Sequence, residues 1–251
     1  MSEPSSGSRT VSLRITTESI TRSAKETFQI GDTIGIYAVT RNTADEVAVP
    51  GRSDNRAHNA KWVLKEEGWE PATLFDIILW DEHMPMDFYA YYPYSSLASK
   101  PDSIPLAVET QQTAESAFLR SDVLLAKNTT GLMDGIVDLH FRHAFSLVNV
   151  YAQPMGISLN YSTMKTKLTG VNTGVVYNMQ TGDLTPTTTG SIVLRPMSTQ
   201  GQLQALVPAQ EVPDGQSTIQ IDDAEETYIS HLDAYTLESG KMENMMIYVM
   251  K

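Results

Sequence analysis

The sequence contains no cysteine, which excludes a disulfide framework, a thiolate nucleophile and any cysteine-bound metal. Basic side chains are scarce beside acidic ones, 18 against 30. The resulting formal charge of −12 opposes condensation onto phosphate backbones or anionic lipid, so nucleic acid is not an expected partner. No apolar run approaches the roughly 18 to 20 residues of a spanning helix. No charged-then-apolar leader opens the numbered chain, which is expected to be soluble as written. Catalytic signatures are also missing: there is no GxSxG elbow, P-loop, GxGxxG or HExxH. A glycosidase would need two carboxylates roughly 5 to 9.5 Å apart, and the sequence singles out no such pair. No cofactor is expected, and no enzyme activity.

What is present is a globular chain of 251 residues, 41% hydrophobic and 19% charged. Each half is long enough to bury roughly two-thirds of its unfolded surface. Residues 1–10 begin MSEPSSGS, small and polar, and read as a flexible leader. From Val11 the pattern is regular, with Val11, Leu13 and Ile15 alternating with Ser12, Arg14 and Thr16, as in a half-buried strand. A polar link containing Arg22 follows, then a turn at Gly31-Asp32 and a strand carrying Ile34, Ile36 and Ala38 on one face.

WVLKEEGWEP, between Trp62 and Pro71, reads as a hairpin with Glu66-Glu67 at its tip, and a strand is expected over 74–80. In DFYAYYPY, Phe88, Ala90, Tyr92 and Tyr94 share one face while Tyr89 and Tyr91 share the other, so this strand is expected at the centre of a sandwich. ESAFLRSDVLLA, residues 115–126, fits a short helix or a strand equally well. The turn-rich NTTGLMDG marks the expected domain boundary near Gly135, dividing the chain into residues 11–135 and 136–251.

The stretch from Asp138 to Tyr151 organises the second half. Its apolar residues alternate on odd positions at Leu139, Phe141 and Phe145, and Val148 and Val150 then sit on even ones. One flat strand cannot bury both sets, so a bend, a bulge or two successive strands is needed near Ser146. Beyond it, short apolar runs recur between separators such as GVNTG, TGD, TTTG, PAQEVPDG and ESGK, including strands expected at 157–161, 164–168 and 175–179. Many short strands without a helix-length segment argue for an antiparallel β-sandwich.

Few residues suggest chemistry. His140 and His143 form an HxxH pair, yet three positions apart on a strand they face opposite sides, and His143 reads as a hydrogen-bonded, partly buried histidine. Asp222, Asp223, Glu225 and Glu226 offer oxygen ligands but lack the spacing of a calcium loop and read as a solvated turn. Trp62, Trp69 and Trp80 are candidates for stacking on sugars, against which alternation in a sandwich favours burial. In the last strand, Met246, Tyr248 and Met250 occupy one face and Met245, Ile247 and Val249 the other. Neither face is polar, which fits either burial between sheet and linker or docking into a partner's groove.

Taken together the chain resembles the fimbrillin-like proteins of Bacteroidales, the Mfa-like type V pilus subunits and their lipoprotein relatives. The resemblance is carried by TR and F-x-x-GD-x-IG-x-YA within Thr21 to Ala38, DFYAYYPY at Asp87 to Tyr94 and SDVLLA at Ser121 to Ala126. It continues through L-x-F-x-HAFS at Leu139 to Ser146, LVPAQ at Leu206 to Gln210 and ESGK at Glu238 to Lys241.

The resemblance implies an all-β chain of two tandem transthyretin-like antiparallel β-sandwich domains. It implies a structural or accessory fimbrial subunit involved in adhesion, at the cell surface or in the fimbrium, with other copies of itself or related pilus subunits as partners. It also implies secretion as a lipoprotein and outer-membrane attachment through an N-terminal lipid anchor, whose cysteine this sequence does not contain. In polymerising members a protease cuts after arginine and releases the first strand, and a neighbour's strand fills the opened groove. Mapped here, the cut falls after Arg22, the groove-covering strand carries Val11, Leu13 and Ile15, and the donor strand presents Met246, Tyr248 and Met250. The alternative is an outer-membrane-anchored surface protein that binds a glycan or protein ligand without polymerising.

Overall fold

The computed structural model describes residues 9–18, 27–223 and 226–250. The chain is nearly all β. In its first part run β1 (Ser12–Thr17), β2 (Thr33–Thr40), β3 (Ala57–Lys65), β4 (Gly68–Pro71), β5 (Met86–Tyr92), β6 (Ile104–Ala107), the short helix α1 (Glu115–Arg120), β7 (Leu124–Leu132) and β8 (Ile136–His143). There follow β9 (Phe145–Pro154), β10 (Lys165–Tyr177), β11 (Leu184–Val193), β12 (Arg195–Pro196), β13 (Gln202–Pro208), β14 (Gln210–Val212), β15 (Thr218–Asp222), β16 (Thr227–His231), β17 (Tyr235–Leu237) and β18 (Met242–Val249).

Seven strands form one sheet in the order β1-β8-β7-β5-β2-β3-β4. Its two ends approach one another: Val11 N–H donates to Ile78 C=O at 2.9 Å, and Trp80 N–H donates to Arg9 C=O at 3.0 Å. The core enclosed by this curl contains Ile34, Ile36, Trp62, Phe88, Leu139 and Phe141. β5 is buried along its whole length and lies between β2 and β7, as its two aromatic faces led one to expect. Phe88 and Ala90 enter the enclosed core, whereas Tyr89 and Tyr91 point the other way, into a second and larger core.

That second core lies among the remaining sheets, a five-stranded one with path β11-β10-β15-β16 plus β6 on β10, a four-stranded one β12-β13-β9-β18, and the pair β14-β17. Val148, Val150, Leu168, Val171, Ile219 and Ile247 belong to it. The first and second parts of the chain are thus joined by shared apolar burial as well as by the backbone. In the first part Arg41 is buried against Asp87, its Nε and Nη2 donating to the two carboxylate oxygens, each at 2.9 Å.

The parity change in the organising stretch is the passage between sheets. β8 buries alternate residues, among them Val137, Leu139 and Phe141, in the curled sheet. After Ala144 the chain continues as β9, buried on both faces from Phe145 to Val150. β8 lies beyond Gly135 yet pairs with β1 and β7, and β6 lies before Gly135 yet pairs with β10.

Other segments differ from expectation, and TTTG lies inside β11 instead of separating strands. Residues 74–76 form a 3-10 turn capped by Thr73 and Asp76, and residues 157–161 lie outside the strands. GVNTG does not separate two strands but lies inside the single strand β10, whose register shifts at Gly170 and Gly174. At Gly170, φ is +73° and a Cβ would stand 2.2 Å from Gln216 C=O, so only glycine fits.

Candidate functional site

The candidate site is built from the two terminal strands. Among the described residues β1 pairs with β8 alone, in parallel, from Ser12↔Ile136 to Thr17↔Phe141. Its alternation places Val11 in the enclosed core, with Leu13 and Ile15 packed partly buried against it. Its outer face is polar. Arg14 donates from Nη2 to Asp138 Oδ2 at 2.9 Å and from Nε to Asp138 Oδ1, and Thr16 Oγ1 is 2.9 Å from His140 Nδ1. These hydrogen bonds from Arg14 hold the Asp138 carboxyl below the usual aspartate range. On the other side of β1 the seam is not closed by a strand: a cleft of about 370 Å³ is lined by Thr10, Leu13, Trp62, Trp69 and Ile78.

β18 mirrors β1. Among the described residues it pairs with β9 alone, again in parallel, from Met242↔Leu147 to Val249↔Pro154. Among the described strand pairs these two are the parallel ones, and each is formed by a terminal strand at a sheet edge. Met245, Ile247 and Val249 are buried in the larger core. Met246, Tyr248 and Met250 remain 51%, 59% and 56% exposed. The free edge of β18 runs beside β16, and a second cleft of about 430 Å³ between them is lined by Tyr228, Ile229, Tyr248, Val249 and Met250. The strand thus carries one apolar face that its own chain buries and one that it does not.

Both terminal strands are tied to the β8–β9 corner. At the end of β1, Glu18 N–H donates to Phe141 C=O at 2.8 Å, and Glu18 C=O lies 3.2 Å from His143 Nε2. The other ring nitrogen, Nδ1, is 2.7 Å from Asp122 Oδ1, and both side chains are fully buried. At the start of β18, Leu147 N–H donates to Lys241 C=O at 2.9 Å and Gly240 N–H donates to Phe145 C=O at 3.1 Å. Ser239 Oγ donates to Ala144 C=O at 2.8 Å, and Ser146 Oγ donates to Lys241 C=O at 3.0 Å. Gly240 has φ +68°, and a Cβ there would lie 3.3 Å from His143 C=O.

This corner went unread in the sequence because Glu18, Asp122, His143 and Gly240 are far apart along it. The available signal was the three motifs SDVLLA, HAFS and ESGK, which the fold brings together here.

The remaining candidates are placed as follows. His140 is exposed and His143 buried, on opposite faces of β8. Asp222 accepts from Lys167 Nζ at 2.9 Å and from Thr227 Oγ1 at 2.9 Å, Asp223 Oδ2 accepts from Asn160 N–H at 3.1 Å, and Glu226 accepts from Tyr228 Oη at 2.8 Å. Their carboxylates serve local turns and strand edges; Glu225 lies outside the described residues. Trp62 and Trp80 are buried, and Trp69 stacks edge-on against Phe28 at 5.1 Å, so these three rings do not form an open platform for a sugar. Arg22 lies outside the described residues.

The chain is nearly all β, and its first and last described strands each lie at a sheet edge, one half-buried and the other apolar on both faces. A family model described as fimbrillin-like matches residues 21–251, and the chain belongs to the fimbrillin-like family. No curated protein matches it. Among solved structures, a candidate cell-adhesion protein of Bacteroides uniformis is similar at 22% identity and TM-score 0.67, covering 95% of this chain and 94% of its own. A second candidate cell-adhesion protein, from Bacteroides ovatus, gives 17% identity and TM-score 0.73 over 96% and 92%. A tip fimbrial protein of Porphyromonas gingivalis gives 9% identity and TM-score 0.51 over 88% and 90%. At these identities the likeness is one of fold.

Proposed function

We propose that this protein is a structural or accessory subunit of a cell-surface fimbria, acting in adhesion and assembled by strand exchange with copies of itself or related pilus subunits. The observation that carries this reading is the apolar face of Met246, Tyr248 and Met250, left exposed on an edge strand whose opposite face is buried. Donated to a neighbour's groove, β18 would bury both faces and complete a β-augmented sheet. β1 is the strand to be replaced. Among the described residues it pairs on one edge, Leu13 and Ile15 together with the preceding Val11 pack into the enclosed core, and it runs parallel to its partner as β18 does. Cleavage after Arg22 would detach it. Family membership supports the same reading, with a place at the cell surface or in the fimbrium; attachment to the outer membrane through an N-terminal lipid is part of the proposal.

The test is digestion of the full chain with an arginine-specific protease, followed by light scattering on a sizing column and mass spectrometry of the new N-terminus. Cleavage after Arg22 should yield a ladder of multiples of the subunit mass, and Arg22→Ala should stay monomeric under the same treatment. A chain cut at Arg22 that remains monomeric, with β1 lost and nothing in its place, would sink strand exchange through this groove.

A further inference from the structure

We propose that the buried Asp122–His143 pair is a latch that fastens the end of β1 and the start of β18 to one corner, so that the two terminal strands are retained together. The proposal rests on the strand-exchange reading for its use, but its geometry and its test concern the isolated subunit.

The latch is centred on the ring of His143. Both ring nitrogens face acceptors, Asp122 Oδ1 at 2.7 Å and Glu18 C=O at 3.2 Å. A backbone carbonyl only accepts, so Nε2 presents its N–H to Glu18, while Nδ1 shares a hydrogen bond with the buried Asp122 carboxyl. Asp122 lies just ahead of β7, His143 ends β8, and Glu18 is the last described residue of the segment bearing β1. The imidazole therefore spans from a fixed part of the curled sheet to the backbone on which β1 leaves it. Without it, the Glu18 end of β1 would keep its backbone bond to Phe141 and lose its side-chain tether.

The same residue supports β18 through the backbone. His143 C=O faces Gly240, and the next four residues, Ala144 to Leu147, take the four bonds to Ser239, Gly240 and Lys241 described above. An imidazole that shifts moves the backbone of His143, and that backbone is the wall against which Gly240 turns into β18. β1 and β18 share no strand pairing. Their common attachment is this corner, at the passage between the sheets.

The experiment is hydrogen exchange read by mass spectrometry on the full chain, comparing the wild type with His143→Gln and, as a milder change that keeps the shape of the acid, Asp122→Asn. Leu168→Ala, which opens a cavity in the larger core and removes none of the corner's hydrogen bonds, serves as the control for general destabilisation. In His143→Gln, peptides covering residues 12–18 should exchange about tenfold faster or more, and those covering 240–247 should follow, while β10 and β11 keep their wild-type rates. Asp122→Asn should act in the same direction more weakly. Unchanged exchange at 12–18, or equal acceleration there in Leu168→Ala, would overturn the latch; acceleration of β1 without β18 would overturn the coupling. Assembly after arginine cleavage is read separately. Chains that polymerise normally with no selective opening in His143→Gln refute the latch alone, and selective opening in chains that never polymerise refutes strand exchange alone.

Discussion

Arg14 and Asp138 illustrate how β1 is held at the level of single residues. The contact is exposed and solvent-screened, so its contribution is modest, yet it is the charged contact on the outer face of that strand that pairs across the ladder to β8. The carboxyl of Asp138 is held below its ordinary value by the guanidinium's hydrogen bonds. A lowered folded-state value means that the unfolded chain binds the proton first as pH falls. The stabilisation is therefore complete above the ordinary aspartate value of about 3.9 and is lost as pH falls through the folded one. Carbon-13 NMR titration of Asp138 should give a midpoint below about 3.9 in the wild type, returning towards that value in Arg14→Gln. A wild-type midpoint at or above the ordinary value would contradict the contact.

At the scale of the element, β18 separates two roles that its sequence presents together. Alternation made both faces legible as apolar, because Met245 to Val249 contains no polar residue to mark an outside. Which face the subunit itself buries was not legible, since that depends on β9 and the core beyond it. The structure divides them. Ile247→Ala should cost the monomer about 2 to 5 kcal/mol in urea unfolding, as a truncation in a packed core. Tyr248→Glu should leave monomer stability within about 0.5 kcal/mol, because its ring lies on the solvent side. If Tyr248→Glu destabilised the monomer as much as Ile247→Ala, the outer face would be serving the subunit's own fold.

Other elements were legible to differing degrees for equally physical reasons. The hairpin β3–β4 and the central β5 followed from alternation and turn residues. The run at 74–80 is apolar enough for a strand, but Asp76 binds the backbone of Lys61 and Thr73 and draws residues 74–76 into a turn. β10 passes through GVNTG because its glycines absorb register shifts that elsewhere end strands. The division expected near Gly135 followed turn residues, whereas sheet membership depends on pairing across long sequence separations. The Asp122–His143 contact depends on it too.

For the whole molecule, the proposed assembly would act at the two parallel terminal pairs. A neighbour's β18 taking the place of β1 would make a heterologous contact, one surface of a subunit against a different surface of the next, and such contacts generate open chains wherever the rotation between subunits does not close a ring. A Tyr248→Glu subunit, cut after Arg22, should still accept a strand but donate poorly. Added in increasing proportion to cut wild-type subunits, it should shorten the polymers measured by light scattering. An unchanged length distribution would mean that the outer face of β18 is not what the groove receives.

The direct passage from β8 to β9 through Ala144 bears on how such a fibre would carry load. Tension entering along β1's position and leaving along β18 would run parallel to the two strands that flank this corner. The ladder bonds on either side would then be strained together in shear instead of being peeled apart one after another. Resistance to pulling would be set by the rate at which a whole strand slips, a kinetic strength separate from the equilibrium stability of the subunit.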